Sequence, residues 1–222
     1  MTAAVVASAT LRGGTRCTTL RSAPPISLRE TAEGLFLVAS GAGPVGGDDL
    51  ELDVAVGAGA SLVVRSAAAQ LVLPGPTGAP STLTIRARVE GSLVWEPEPT
   101  VLVAGCDHTT TVQLDLAEDA SVEWRETVVL GRHGEASGSM LQRLVVERAG
   151  RPLLRNEVPL GPRWPGSDGP AGVHGARVVT SVLVVGGDEP NEPGDGAVLQ
   201  LADDAWLVTR LGDGGGFCAG SC

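Results

Sequence analysis

Apolar and polar positions alternate through Leu52-Asp53-Val54-Ala55-Val56, break at Gly57-Ala58-Gly59, and alternate again through Ser61-Leu62-Val63-Val64-Arg65. The pattern returns downstream at a spacing of roughly 30 residues. Leu83 to Glu96 reads LTIRARVEGSLVWE and lies on the first copy without a gap, Ser92 on Ser61 and Leu93 on Leu62. Leu114 to Arg125 (LDLAEDASVEWR) and Leu199 to Arg210 (LQLADDAWLVTR) are two residues shorter at the centre, and LVVERAGRPLLR from Leu144 to Arg155 is a looser relative. Each copy is two period-2 runs joined by a short turn of glycine, alanine or acidic residues, the signature of a β-hairpin. One hairpin cannot cover its own apolar face, so the copies must stack or sandwich. Alternation also fixes the register, since a one-residue slip would turn Leu52, Val54 and Val56 to water and bring Glu51 and Asp53 inside.

The remaining chain reads as further strand and loop. Residues 10–29 read as a hairpin turning at Gly13-Gly14, Leu35 to Ala39 as a strand, and Val178 to Val185 as a long β-branched strand. Glu96-Pro97-Glu98-Pro99 stops central pairing, because proline donates no ladder hydrogen bond. Ser137 to Leu144 reads as one short helix, residues 161–175 as a Gly/Pro-rich loop, and 212–222 as a mobile tail. The expected fold is therefore all-β with minor α, a stack of antiparallel hairpins forming one β-helix-like or sandwich domain over residues 1–222.

Composition narrows the core and the partners. With four Trp, two Phe and no Tyr, the interior must be Val, Leu and Ala in thin layers, and 31 Gly and 15 Pro supply the turns. The formal charge is −10, and all 16 basic residues are Arg. An acidic chain poor in aromatics offers nucleic acid neither a basic face nor a stacking platform. No stretch approaches the roughly 18 apolar residues of a membrane span, and the N-terminus lacks a secretory pattern. Cys17, Cys106, Cys218 and Cys222 are scattered, unlike a disulfide framework. A cytoplasmic location with reduced thiols is expected.

Candidate chemistry is sparse. Gly41, Gly43 and Gly46 match G-x-G-x-x-G after a strand, but the next element alternates instead of opening a helix, and Asp48 and Asp49 would repel a pyrophosphate. A chain without Lys has no Walker loop, and neither H-E-x-x-H nor G-x-S-x-G occurs. Cys106 and His108, two residues apart, would share one face of a strand and offer two soft ligands; the alternative is a buried Cys beside an exposed His. Cys218 and Cys222 flank the tail as a further weak pair. Asp48, Asp49, Glu51 and Asp53 surround the start of the first copy, and Glu126, Arg132 and Glu135 gather about the loop Gly131-Arg132-His133-Gly134. Carboxylates with an Arg between them suit a polar passage for a hard or borderline cation, and solvated turn charges are the other reading. No nucleophile and base stand together, so the pattern reads as a non-enzymatic β-repeat protein.

Three segments add a family likeness: Gly43-Pro44-Val45-Gly46-Gly47-Asp48 followed by LELDVAVGAGASLVVRSAAA, then GSLVWEPEPTVLVAG from Gly91, then ETVVLGRHGE from Glu126. With the N-terminal GGTRCTTLRSAPP, they make the chain resemble the urease accessory protein D family, also called UreD or UreH. The resemblance implies a β-helix-like stack and a non-catalytic scaffold that binds the urease structural subunits. With the accessory proteins F and G, such a scaffold assists nickel delivery. It implies no permanently bound cofactor, nucleic acid or membrane, only transient nickel. Ions that must be released call for weak oxygen ligands, so Asp48, Glu51, Glu126 and Glu135 are the expected path, with Arg132 as pairing residue and Cys106 and His108 secondary. The competing class is a stand-alone β-solenoid binding module.

Overall fold

The computed structural model describes residues 2–9, 14–190 and 196–213. Gly13, the Cys218/Cys222 pair and the tail from 214 lie outside them. The described residues form seventeen strands and no helix. In chain order these are β1 (Thr2–Ala9), β2 (Thr15–Arg21), β3 (Ile26–Thr31), β4 (Gly34–Ala39), β5 (Asp49–Val56), β6 (Ser61–Ser66) and β7 (Gln70–Val72). The middle strands are β8 (Ser81–Val89), β9 (Ser92–Trp95), β10 (Thr100–Leu102), β11 (Asp107–Leu116) and β12 (Ser121–Leu130). The last are β13 (Ser139–Arg148), β14 (Arg151–Leu160), β15 (Val178–Val185), β16 (Ala197–Ala202) and β17 (Ala205–Gly212). One sheet runs β14-β13-β11-β8-β5-β1-β2; the other runs β16-β17-β15-β12-β9-β6-β4-β3, with β7 and β10 appended beside β12. The architecture is all-β and β-helix-like, as the repeats require.

The pairing inside the repeats differs from a hairpin. In the first three copies the two runs enter opposite sheets, and each run pairs in parallel with its counterpart in the next copy: β5 with β8 and β8 with β11 on one side, β6 with β9 and β9 with β12 on the other. Each copy is thus an arch whose inner faces cover each other. The opposite strand supplies the crossover that parallel pairing needs. Alternation could not separate the two outcomes, because arch and hairpin both require one apolar face per run. The copies at β13/β14 and β16/β17 are true antiparallel hairpins, the first turning on Ala149 and Gly150, both at positive φ.

The turns also relocate the length difference among copies. Residues 57–60 and 117–120 join the first and third arches, whereas only Glu90-Gly91 joins the second. Val54 to Arg65 therefore lies on Leu114 to Arg125 without a gap, and the middle copy is the short one. Ser61, Ser92 and Ser121 pair in line, while Val56, Val89 and Leu116 pair on the opposite sheet. The short arc passes so close beneath its neighbour that a Cβ on Gly91 would stand 2.2 Å from the Ala60 carbonyl oxygen.

Two other expectations change. Over the described residues of 10–29 the expected hairpin is replaced: β2 joins β1 in one sheet and β3 joins β4 in the other, and the Ala23–Ile26 bridge is the pairing within the segment. Ser137 to Leu144 is not helical. Met140, Gln142, Leu144 and Val146 alternate inward along β13, and its parallel ladder with β11 outweighs local helix propensity.

The interior holds two apolar clusters. The larger, at the arch end, gathers Val54, Leu62, Leu93, Trp95, Leu114 and Trp124 with their neighbours; the smaller gathers Val72, Leu102, Cys106, Val128, Met140 and Leu160. Leu62, Leu93 and Leu116 are buried, whereas the Asp53 and Asp115 side chains point outward and are 46% and 56% exposed. Replacing any of the three leucines by Ala is expected to cost about 2–5 kcal/mol in urea unfolding, and Asp53→Ala or Asp115→Ala within about 0.5 kcal/mol of nothing. Equal costs in the two groups would refute the register.

Candidate functional site: a polar layer and its cavity

Between the two apolar clusters, several strands carry polar residues in the inward phase. Along β12 the inward series is Val122, Trp124, Glu126, Val128; along β11 it is His108, Thr110, Val112; along β13 it is Met140, Gln142, Leu144. Ser81 opens β8 at the same level. The Glu126 carboxylate accepts a hydrogen bond from Gln142 Nε2 at 2.9 Å, tying one sheet to the other. His108 is fully enclosed, its Nδ1 2.8 Å from Ser81 Oγ and its Nε2 3.1 Å from Thr110 Oγ1.

A cavity of about 380 Å3 opens from this layer to the flank of the stack. The inward-facing Glu126, Gln142 and Thr110 are among its polar lining, and Leu52, Leu83, Ile85, Trp95 and Met140 form apolar walls. Its mouth lies among Gly41-Ala42-Gly43, Ser66 to Gln70 and Pro97-Glu98, so the loops that interrupt pairing frame the opening. Trp95 stacks on Trp124 from the next coil, with ring centroids 4.4 Å apart and planes 2° from parallel. The indole nitrogen of Trp124 is buried without a hydrogen-bond partner.

Enclosure dominates the titration of this layer. Burial pushes the Glu126 carboxyl up to about 7, against smaller opposing contributions from the nearby Trp124 indole and the Gln142 amide. Burial pushes His108 down to about 4, so its imidazole is neutral, and pushes the Cys106 thiol up to about 11. Among the described residues no cationic side chain pairs with Glu126.

The structure separates the sequence-nominated residues. Asp48 closes its own turn, accepting the Val45 backbone N–H at 2.8 Å, in the loop where Gly46 meets Gly75 backbone to backbone. Glu51 faces outward from β5, where the Thr2 hydroxyl (2.6 Å) and the Arg86 guanidinium (3.0 Å) hold its carboxyl below the usual range. Glu135 is gripped in the loop after β12 by Arg132, whose Nε and terminal nitrogen each donate at 2.8 Å, and that pairing drives its carboxyl down to about 2. Of the four carboxylates only Glu126 lines the cavity. Cys106 and His108 do share an inward face, but the histidine is buried, not exposed beside a buried Cys. Among the described residues no three of His, Cys, Asp and Glu are grouped to hold a metal ion. Gln142 and the Trp95/Trp124 stack were not singled out by pattern. Glu126 was nominated with the Gly131 loop but sits mid-strand, and VEWRETVV carries the signal for that place, a carboxylate in a phase that alternation reserves for apolar side chains.

Arched coils around a largely apolar cavity with a few polar groups make this a β-helix-like protein, and its Ser81–His108 pair is enclosed and lies outside the cavity lining. The chain matches the family described as UreD urease accessory protein over residues 2–219. It is 43% identical over 235 residues to the urease accessory protein UreD of Parafrankia sp., covering 90% of this chain and 79% of that protein. It is 39% identical over 224 residues to the UreD of Streptomyces coelicolor, covering 94% and 88%. The chain belongs to the UreD family of urease accessory proteins, and is a urease maturation factor rather than an enzyme. No helix among the described residues is long and apolar enough to cross a membrane.

The opposed shifts of Glu126 and His108 give a pH test. Glu126 is raised on folding, so its contribution is fully present below about 4.5 and is lost as pH rises through about 7. His108 is lowered, so its contribution is present above 6.5 and is lost as pH falls through about 4. Glu126→Gln, isosteric and always neutral, should gain on the wild type as pH rises from 4.5 to 7, by on the order of 3 kcal/mol at most, and keep the acid-side loss. Urea unfolding at several pH values measures the difference; a pH-independent difference would mean that the carboxyl is not desolvated.

Proposed function

We propose that this chain binds the urease structural subunits before their metal centre is complete and, with the accessory proteins F and G, assists nickel delivery. Family membership supports the urease role. The location of Glu126 supports a part for the cavity: one carboxylate with an amide and hydroxyls beside it offers an ion oxygen donors that hold less firmly than thiolate or imidazole sets. Such a site can release its cargo. Asp48, Glu51 and Glu135, each already engaged, play a lesser part, and Arg132 keeps the Glu135 loop shaped. A path through Cys106 and His108 is disfavoured, since the thiol is held protonated and both imidazole nitrogens are occupied by hydroxyls.

Co-expression tests both levels. The chain should co-purify with urease structural subunits and with the F protein, and failure to do so favours a stand-alone binding module. Glu126→Gln should leave that complex intact and lower the nickel content of urease several-fold. If Glu126→Gln loads urease as wild type does while Cys106→Ala or His108→Ala stops loading, the carboxylate route is wrong and a discrete soft-ligand site replaces it.

A further inference from the structure

The cavity is larger and more hydrocarbon-rich than a passing ion needs. Its volume of about 380 Å3 falls within the range of small-molecule sites. Most of the wall is aliphatic: Leu37, Leu52, Leu83, Ile85 and Met140 surround the space that leads to Glu126. There the Glu126 carboxylate has the Gln142 amide as donor, the Trp124 indole nearby and no cationic partner among the described residues. A buried charge in apolar surroundings is costly unless an opposite charge joins it. Trp95 brings an indole ring to the same wall, and indole attracts a nearby cation through its quadrupole. A resting inorganic dication would want several oxygen ligands, and an organic anion would be repelled by Glu126. A single positive charge on a hydrocarbon body meets each of these conditions.

We propose that the cavity is a binding site for a small organic cation with an apolar body, a protonated alkyl- or arylalkyl-amine. Its ammonium group sits against the Glu126 carboxylate, and its body lies between the aliphatic walls and the Trp95 ring. The Gln142 amide, already bonded to Glu126, holds the carboxylate toward the space. The mouth at Ser66 to Gln70 is the entry, with no rearrangement of the strands. This site goes beyond the maturation role and does not depend on it.

Calorimetric titration of the purified chain with cyclohexylammonium, without urease or nickel, tests it. Cyclohexylammonium should bind at least tenfold more tightly than cyclohexanol and than cyclohexanecarboxylate. Glu126→Gln should lose at least tenfold in affinity for the amine while binding cyclohexanol as before. Ala68→Trp, at the exposed mouth, should weaken both ligands and leave the unfolding midpoint unchanged, so lost binding cannot be confused with a lost fold. Equal affinity for amine and alcohol, or undiminished amine binding by Glu126→Gln, overturns the assignment. Because no urease is present, either result leaves the maturation reading to its own test.

Discussion

The in-register pairing of Ser61, Ser92 and Ser121 sets the position of each side chain between the sheets in the three arches. A parallel ladder places like residues over like, so Leu62 meets Leu93 and Leu93 meets Val122, and each coil is an apolar template for the next. Small side chains make this possible. Ala60 and Ala120 are buried at the bends, and Gly91 lets the shorter arc tuck beneath its neighbour, so the chain crosses from sheet to sheet without opening a gap. The interior is continuous because no coil can be buried without the coils beside it.

Against that continuity, the polar layer is a deliberate interruption. Filling positions 108, 110, 126 and 142 with aliphatic residues would merge the two apolar clusters into one core. Instead His108, Thr110 and Ser81 satisfy one another, and Glu126 and Gln142 bond across the sheets. A satisfied network of this kind holds the sheets in one relative position, whereas an aliphatic filling would tolerate several. The Glu126 carboxylate, which has no cationic partner among the described residues, lines the cavity beside it. The chain therefore retains polarity where the interior is reached from outside.

Much of this was legible in the chain. Period 2 gave the strands, the copies gave the stacking, and the inward phase of Leu62, Leu93 and Leu116 follows directly. What alternation could not convey was the sheet each run joins, because an arch and a hairpin bury the same face. The helix expected at Ser137 to Leu144 failed for a related reason: Met140 and Leu144 suit a helical stripe as well as a strand, and the neighbouring β11 ladder decides. The site was less legible. Clustered charges drew attention to Glu51 at the start of the first copy and to Glu135 in a loop, which the fold engages with Arg86 and Arg132. The carboxylate that reaches the interior sits mid-strand, and its importance lies in facing Gln142, 16 residues later in sequence on the opposite sheet.

The stack of Trp95 on Trp124 has an optical consequence. Two indoles with centroids 4.4 Å apart and planes 2° from parallel couple their electronic transitions, so the pair absorbs as one chiral chromophore. The rings belong to adjacent coils and sit beside the polar layer. A far-ultraviolet exciton couplet would therefore report the alignment of those coils, and its sign and size would track any slip of β9 against β12, whatever happens at the ends of the chain.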